Sequence, residues 1–140
     1  MQVRDILDST EEFPTIVTDA TASRAAQLMR ANDVRAVAVV EGERLVGIVT
    51  DWDIVDALAQ KGSELADLPV SAIMTKENLV TVDIDATVVE ATRRLAERQV
   101  HHLPVLEGGE YRGVICLGLE WAEGGMLAPP VRATLTGRHP

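Results

Sequence analysis

Gly47-Ile48-Val49-Thr50-Asp51-Trp52-Asp53-Ile54 reads as a covered strand that delivers a hydroxyl and two carboxylates to the first turn of a helix. Leu45 to Val49 is a short, apolar, β-branched run of the kind buried strands use. A glycine inside such a run, Gly47, signals close approach of another backbone or of a ligand. From Asp51 onward, Ile54, Val55 and Leu58 recur at helical spacing. Thr50 with Asp53 three residues later fits a capping box, and an acidic first turn suits the positive end of a helix dipole. The pair also suits binding: a carboxylate accepts from two vicinal hydroxyls, and a threonine hydroxyl can donate to a sugar or phosphate oxygen. The stretch alone leaves both readings open.

A shift of 66 positions lays the chain on itself, so that Gly47-Ile48-Val49 falls on Gly113-Val114-Ile115 and Asp19-Ala20-Thr21 on Asp85-Ala86-Thr87. Val34 then falls on Val100, Val39 on Val105, and Glu41-Gly42 on Glu107-Gly108, with no insertion from Thr15/Thr81 to Leu58/Gly124. This is an internal duplication. The copies differ where the chemistry would be, with Cys116 opposite Thr50 and Leu119 opposite Asp53. If the scaffold tolerates Cys and Leu there, Thr50 and Asp53 serve something besides a helix start in the first copy.

Each copy reads as a brief strand, a helix, a hairpin and a second helix. Thr15 to Val17 is a strand, and Asp19-Ala20-Thr21 leads into a helix with Ala22, Ala25, Ala26 and Met29 on one face. Its copy turns Val88, Ala91, Thr92 and Leu95 inward and Glu90, Arg93, Arg94 and Glu97 outward. Ala36 to Val40 and Leu45 to Val49 flank the turn Glu41-Gly42-Glu43-Arg44, a hairpin repeated around Glu107-Gly108-Gly109-Glu110. Short leaders, Val3 to Leu7 and Val70 to Met74, precede the copies one residue out of register with the main repeat. Gln60 to Pro69 reads as the linker, giving repeat one at 1–62, repeat two at 63–128 and a tail at 129–140. Gly124-Gly125 and Pro129-Pro130 oppose a long helix at the end of the second copy, and the tail is expected to pack on the module or on a partner.

Two such units, with Gly47-Ile48-Val49-Thr50-Asp51-Trp52-Asp53-Ile54, Val100-His101-His102-Leu103-Pro104-Val105 and Ser71-Ala72-Ile73-Met74-Thr75, resemble a tandem CBS-domain pair over residues 1–123. The resemblance implies an α+β fold of tandem β-α-β-β-α repeats packed about a pseudo-twofold axis. In proteins of this kind the Thr and Asp of the Gly-x-x-Thr-x-x-Asp element bind the phosphate and ribose of an adenosine nucleotide or related adenosyl ligand. Those roles map onto Thr50 and Asp53. The shared cleft would add Arg35, Ala36 and Val37 from the first copy and Thr81, Val82 and Ala86 from the second. Arg35 is the candidate phosphate cation, or a surface charge at a strand end. Ala36 stands where the family is often polar or basic, and Trp52 where it is often basic. Both argue against a triphosphate clamp and for a monophosphate or a nucleoside covered by Trp52, although Trp52 also reads as an interface residue. The mirror cleft, with Thr15, Ala20, His101, His102, Cys116 and Leu119, lacks the ribose carboxylate and is expected to be vacant or weak.

The resemblance implies a regulatory sensor of AMP, ADP, ATP, NAD or S-adenosylmethionine, needing no other cofactor and acting by conformational shift on an effector protein. It also implies a homodimer. With no effector domain in sight, the pair would be free-standing. A ligand-free dimerisation or docking module with degenerate sites is the rival reading.

Composition excludes other classes. The 140 residues are 46% hydrophobic, enough for a core, and the net charge of −9 opposes a phosphate-backbone partner such as nucleic acid. One cysteine forms no internal disulfide, and neither a signal peptide nor an apolar run near the roughly 18 residues of a membrane span is legible. A cytoplasmic location follows as the expectation. No enzyme is expected: His101 and His102 are neighbours that a strand would turn to opposite faces, His139 lies in the tail, and Cys116 has no local base and reads as a small buried hydrophobe. Neither a metal-ligand set nor a cluster of Asp51, Asp53 and Asp56 emerges at suitable spacing.

Overall fold

A computed structural model describes residues 1–7, 13–117, 120–121, 127–128 and 131–134, those after Cys116 by backbone alone. The duplication is written into the backbone pairing. In the first lobe β1 (Thr15–Ile16) runs parallel to β2 (Ala36–Glu41), which pairs antiparallel with β3 (Arg44–Thr50). In the second, β4 (Val82–Asp83) runs parallel to β5 (His102–Glu107), and β5 pairs antiparallel with β6 (Glu110–Leu117). Ala36 faces Thr50 in one hairpin as His102 faces Cys116 in the other, and both hairpins shift register at the matching place, Val39/Val40 and Val105/Leu106.

The helices repeat as well. A four-residue turn, α1 (Val3–Ile6), opens the chain. Thr21 caps α2 (Ala22–Asn32) by accepting from the Arg24 amide at 3.1 Å, and Thr87 caps α4 (Val88–Arg98) by accepting from the Glu90 amide at 3.0 Å. Each ends on a left-handed residue, Asp33 or Gln99. Ala22, Ala25 and Met29 on α2, and Ala91 and Leu95 on α4, are the buried positions. The apolar periodicity therefore finds its faces, but Glu90, expected outward, is partly buried. Arg94, expected outward, is half-buried, and its guanidinium donates to the Thr81 carbonyl and to Glu90.

The leaders cross over. Val3, ahead of the first copy, donates its amide to the Ala86 carbonyl of the second at 2.8 Å, and Arg4 donates to Ile84 at 2.9 Å. Val70, ahead of the second copy, donates to Ala20 of the first at 2.7 Å, and Ser71 donates to Thr18 at 3.2 Å. The two pairs of bonds are images of each other under the pseudo-twofold relation, and Val3 and Val70 are both fully buried. The cores divide in the same way. One gathers α2, β2 and β3 with Val70 and, from the second lobe, Val114 and Cys116; the other gathers β4, α4 and β5 with Val3.

The copies part at their ends. The first continues from β3 directly into α3 (Asp51–Lys61), whose C-cap Gly62 leads into a 3-10 segment, Gly62–Asp67. At the matching place in the second, Glu120–Trp121 (β7) instead pairs with Leu127–Ala128 (β8), and Val131–Thr134 (β9) adds to the edge of β6. Where the first copy has a helix-forming Asp56-Ala57-Leu58-Ala59-Gln60, the second has Ala122-Glu123-Gly124-Gly125-Met126, and glycine is among the poorest helix formers. The expectation that the tail packs on the module holds for Val131–Thr134.

Candidate functional site

The strand-to-helix junction at Thr50 places the candidate groups. Thr50 is the N-cap of α3 and makes a full capping box with Asp53. Its hydroxyl accepts from the Asp53 amide at 3.2 Å, while Asp53 Oδ2 accepts from the Thr50 amide at 2.8 Å and from Thr50 Oγ1 at 3.1 Å. The capping role is thus realised. The argument from the second copy loses its premise, since Glu120–Trp121, the counterparts of Ile54 and Val55, are strand and not helix. Leu119 lies outside the described residues.

Asp53 is more than a cap. Its other oxygen, Oδ1, accepts from Thr75 Oγ1 at 3.4 Å, a residue 22 positions away in the segment between the repeats. The carboxyl is half-buried, and the loss of water raises its pKa; hydrogen bonds from the Thr50 amide and hydroxyl and from the Thr75 hydroxyl oppose this, and Asp56 adds to it. Thr75 is held by two backbone hydrogen bonds with Ile48, at 3.0 and 2.9 Å. Gly47 permits this approach: a Cβ there would meet the Met74 sulfur at 2.6 Å and the Thr75 carbonyl at 3.1 Å. The close-packed glycine was legible in the sequence and Thr75 was not, although the leader Ser71-Ala72-Ile73-Met74-Thr75 that carries it stood out.

Arg35, Ala36 and Val37 gather at the same junction. Ala36 is buried opposite Thr50 and Val37 opposite Val49. The Arg35 carbonyl accepts from the Asp51 amide at 2.9 Å, and its exposed guanidinium stands 4.0 Å from the Asp51 carboxylate. So open a pair adds little stability. Thr81, Val82 and Ala86 belong to the other lobe. Val82 is buried in β4, the Thr81 carbonyl accepts from Arg94, and the Ala86 carbonyl accepts from Val3. Among the described residues, the hydrogen bond that reaches Asp53 from the second leader comes from Thr75 and from none of these three.

In the mirror position Thr15 and His101 are exposed, and Ala20 and His102 are partly buried. Cys116 is buried at 1% exposure, which pushes its thiol pKa up to about 12 and keeps it neutral. No group of three or more potential metal-ligating side chains occurs among the described residues.

The family model for the CBS domain matches this chain twice, over residues 3–60 and 70–118. The chain belongs to the CBS-domain family. A CBS domain-containing protein, YhcV of Bacillus subtilis strain 168, is 31% identical over 109 residues, which are 78% of this chain and 76% of that protein. The solved CBS-domain containing protein ATU1752 from Agrobacterium tumefaciens superposes with a TM-score of 0.74 at 30% identity, covering 83% of this chain and 93% of that one. The CBS domain pair of protein MJ0100, solved in complex with 5′-methylthioadenosine and S-adenosyl-L-methionine, superposes with a TM-score of 0.72 at 25% identity, covering 83% and 89%. Another relative is longer: the chain spans 20% of the homoserine O-acetyltransferase of Methanococcus vannielii, to which it is 32% identical over 99 residues. Within this CBS pair no helix among the described residues is long and apolar enough to cross a membrane.

Proposed function

We propose that this CBS pair is a regulatory module, not a catalyst, that senses an adenosine-containing ligand through one competent site and passes the signal to an effector by a shift between lobe arrangements. The observation that carries this reading is the Asp53 carboxylate, half-buried at the start of α3 and joined to both the hairpin and the inter-repeat segment. Asp53 would take the ribose hydroxyls and Thr50 a phosphate or sugar oxygen, with Arg35, Ala36 and Val37 on one wall and Thr81, Val82 and Ala86 on the other. The complex of the MJ0100 pair with adenosyl compounds supports the ligand class. The absence of the capped helix at Glu120–Trp121 and the buried, neutral thiol of Cys116 support a single site.

Thermal unfolding against AMP, ADP, ATP, NAD and S-adenosylmethionine tests the proposal, because a ligand that binds only the native state raises the melting temperature by mass action. One of these is expected to stabilise the wild type and to lose its effect in Asp53→Ala, each protein being read against its own ligand-free baseline because the substitution also removes the cap. A specific observation favours the rival reading of a ligand-free dimerisation module: Trp52, Val55 and Leu58 on α3 are 68%, 52% and 53% exposed. If no adenosyl compound stabilises the protein and sedimentation shows a dimer that Val55→Glu dissociates, the interaction reading replaces the sensor.

A further inference from the structure

Among the described residues, Met74 is the methionine that is both within reach of solvent and packed on a contact between two segments. Met1 is 80% exposed but stands at the start of the chain, and Met29 is buried in the first core. Met74 is partly buried against that core, and the residues that follow it, Thr75 to Asn78, are all exposed, so a small oxidant has an approach from their side.

The Met74 sulfur fills the space left by the missing side chain of Gly47, a buried residue of β3. A Cβ on Gly47 would meet that sulfur at 2.6 Å and the Met74 Cγ at 3.0 Å. One residue on, Thr75 donates its amide to the Ile48 carbonyl at 2.9 Å and accepts from the Ile48 amide at 3.0 Å, and its hydroxyl donates to Asp53 Oδ1 at 3.4 Å. The apolar thioether thus seats the inter-repeat segment on β3, next to the pair of backbone hydrogen bonds that holds it there. Oxidation turns this flexible, apolar group into a polar sulfoxide. The side facing Gly47 has no room for an added oxygen, and an S=O dipole buried without a donor is costly. The oxygen must therefore be turned to water, which takes the side chain off Gly47.

We propose that Met74 is an oxidation site, and that its sulfoxide releases the inter-repeat segment from β3. The oxidant is a peroxide. A sulfur lone pair attacks one oxygen of hydrogen peroxide, the S–O bond forms as the O–O bond breaks, and the proton of the transferred oxygen passes to the departing hydroxide to give water. The sulfur is oxidised by two electrons and the peroxide is reduced. The packing over Gly47 carries the proposal, which needs no ligand at Asp53. Release withdraws the Thr75 hydroxyl from Asp53 and loosens the segment that runs through Leu79, on the first core, and Val80, on the second, into β4.

The test treats wild type and Met74→Leu with hydrogen peroxide, maps sulfoxides by peptide mass spectrometry, and follows amide hydrogen exchange at Ile48 and Thr75. Leucine keeps an apolar side chain over Gly47 and has no sulfur; Met74→Gln, left unoxidised, supplies a polar group of similar length. Sulfoxide is expected at Met74 before Met29. With it the Ile48 and Thr75 amides should exchange roughly fivefold faster or more, as the loss of a net hydrogen bond implies. Treatment with the two methionine sulfoxide reductases, one for each epimer, should restore slow exchange. Met74→Gln should exchange fast without peroxide, and peroxide should leave Met74→Leu unchanged. Oxidation of Met74 no faster than that of Met29 overturns the proposal, because the sulfur would then be closed to solvent. Sulfoxide at Met74 with unchanged exchange overturns the release, and equal acceleration in Met74→Leu overturns the assignment to this residue.

Discussion

At Asp53 two demands meet on one side chain. As a capping residue it benefits from its charge, because it accepts from the Thr50 amide next to the positive end of α3. As a half-buried carboxylate it loses hydration, and this loss dominates, so its pKa is raised. The sign follows from linkage: a carboxyl that holds its proton more tightly folded than unfolded makes the fold less stable as pH rises from the unfolded value, about 4, through the raised folded value. Asp53→Asn, which keeps an acceptor oxygen for the cap, is expected to remove that part of the decline. Urea unfolding from pH 4 to 7 measures it; identical pH profiles for variant and wild type would show that the cap compensates fully for the burial. Gly47 belongs to this scale too, since its missing Cβ is what lets Met74 and Thr75 reach the site.

At the scale of elements, the crossing leaders bind the two copies into one fold. Val3 and Val70 occupy matching positions, each fully buried in the lobe built by the other copy. Val3→Ala and Val70→Ala are therefore both expected to cost about 2 kcal/mol, from lost burial and the cavity left behind. Denaturant titration should show this as a lower midpoint with an unchanged slope and one transition. A biphasic curve for either variant would mean that the lobes unfold separately. Arg4 adds a charged clasp on the N-terminal side, reaching Asp85 at 2.8 Å and Glu107 at 3.0 Å, but the groups are open to water, so the valine carries more of the crossing.

At the scale of the molecule, the hairpins of the two lobes touch. The Tyr111 amide donates to the Glu43 carbonyl at 2.9 Å, and the tyrosine ring packs on the first core. Its hydroxyl is buried without a hydrogen-bond partner among the described residues, and burial drives its pKa up. An unpaired hydroxyl costs the fold its hydration. Tyr111→Phe is expected to leave the lobe contact intact and raise stability by roughly 0.5–1.5 kcal/mol, measured by chemical unfolding. A loss of stability would reveal a partner for the hydroxyl.

Much of this was legible from the chain alone, because local physics decides it. The duplication fixed matching strands and hairpins, the alternation of small and apolar residues fixed the buried faces of α2 and α4, and Thr50 with Asp53 announced a helix start. The resemblance to the CBS family followed from the same repeats. Partnership at long range was decided by tertiary structure: that each leader serves the opposite copy, that Arg94 turns in to the Thr81 carbonyl, and that Thr75 reaches Asp53. The end of the second copy was divided between the two, with its glycines and prolines opposing a helix and only the fold showing that β9 closes on β6. The physical reason is range. Periodicity, caps and turns are settled by neighbours within a few residues, whereas a hydrogen bond between residues 13 or more apart depends on how packed elements bring their surfaces together.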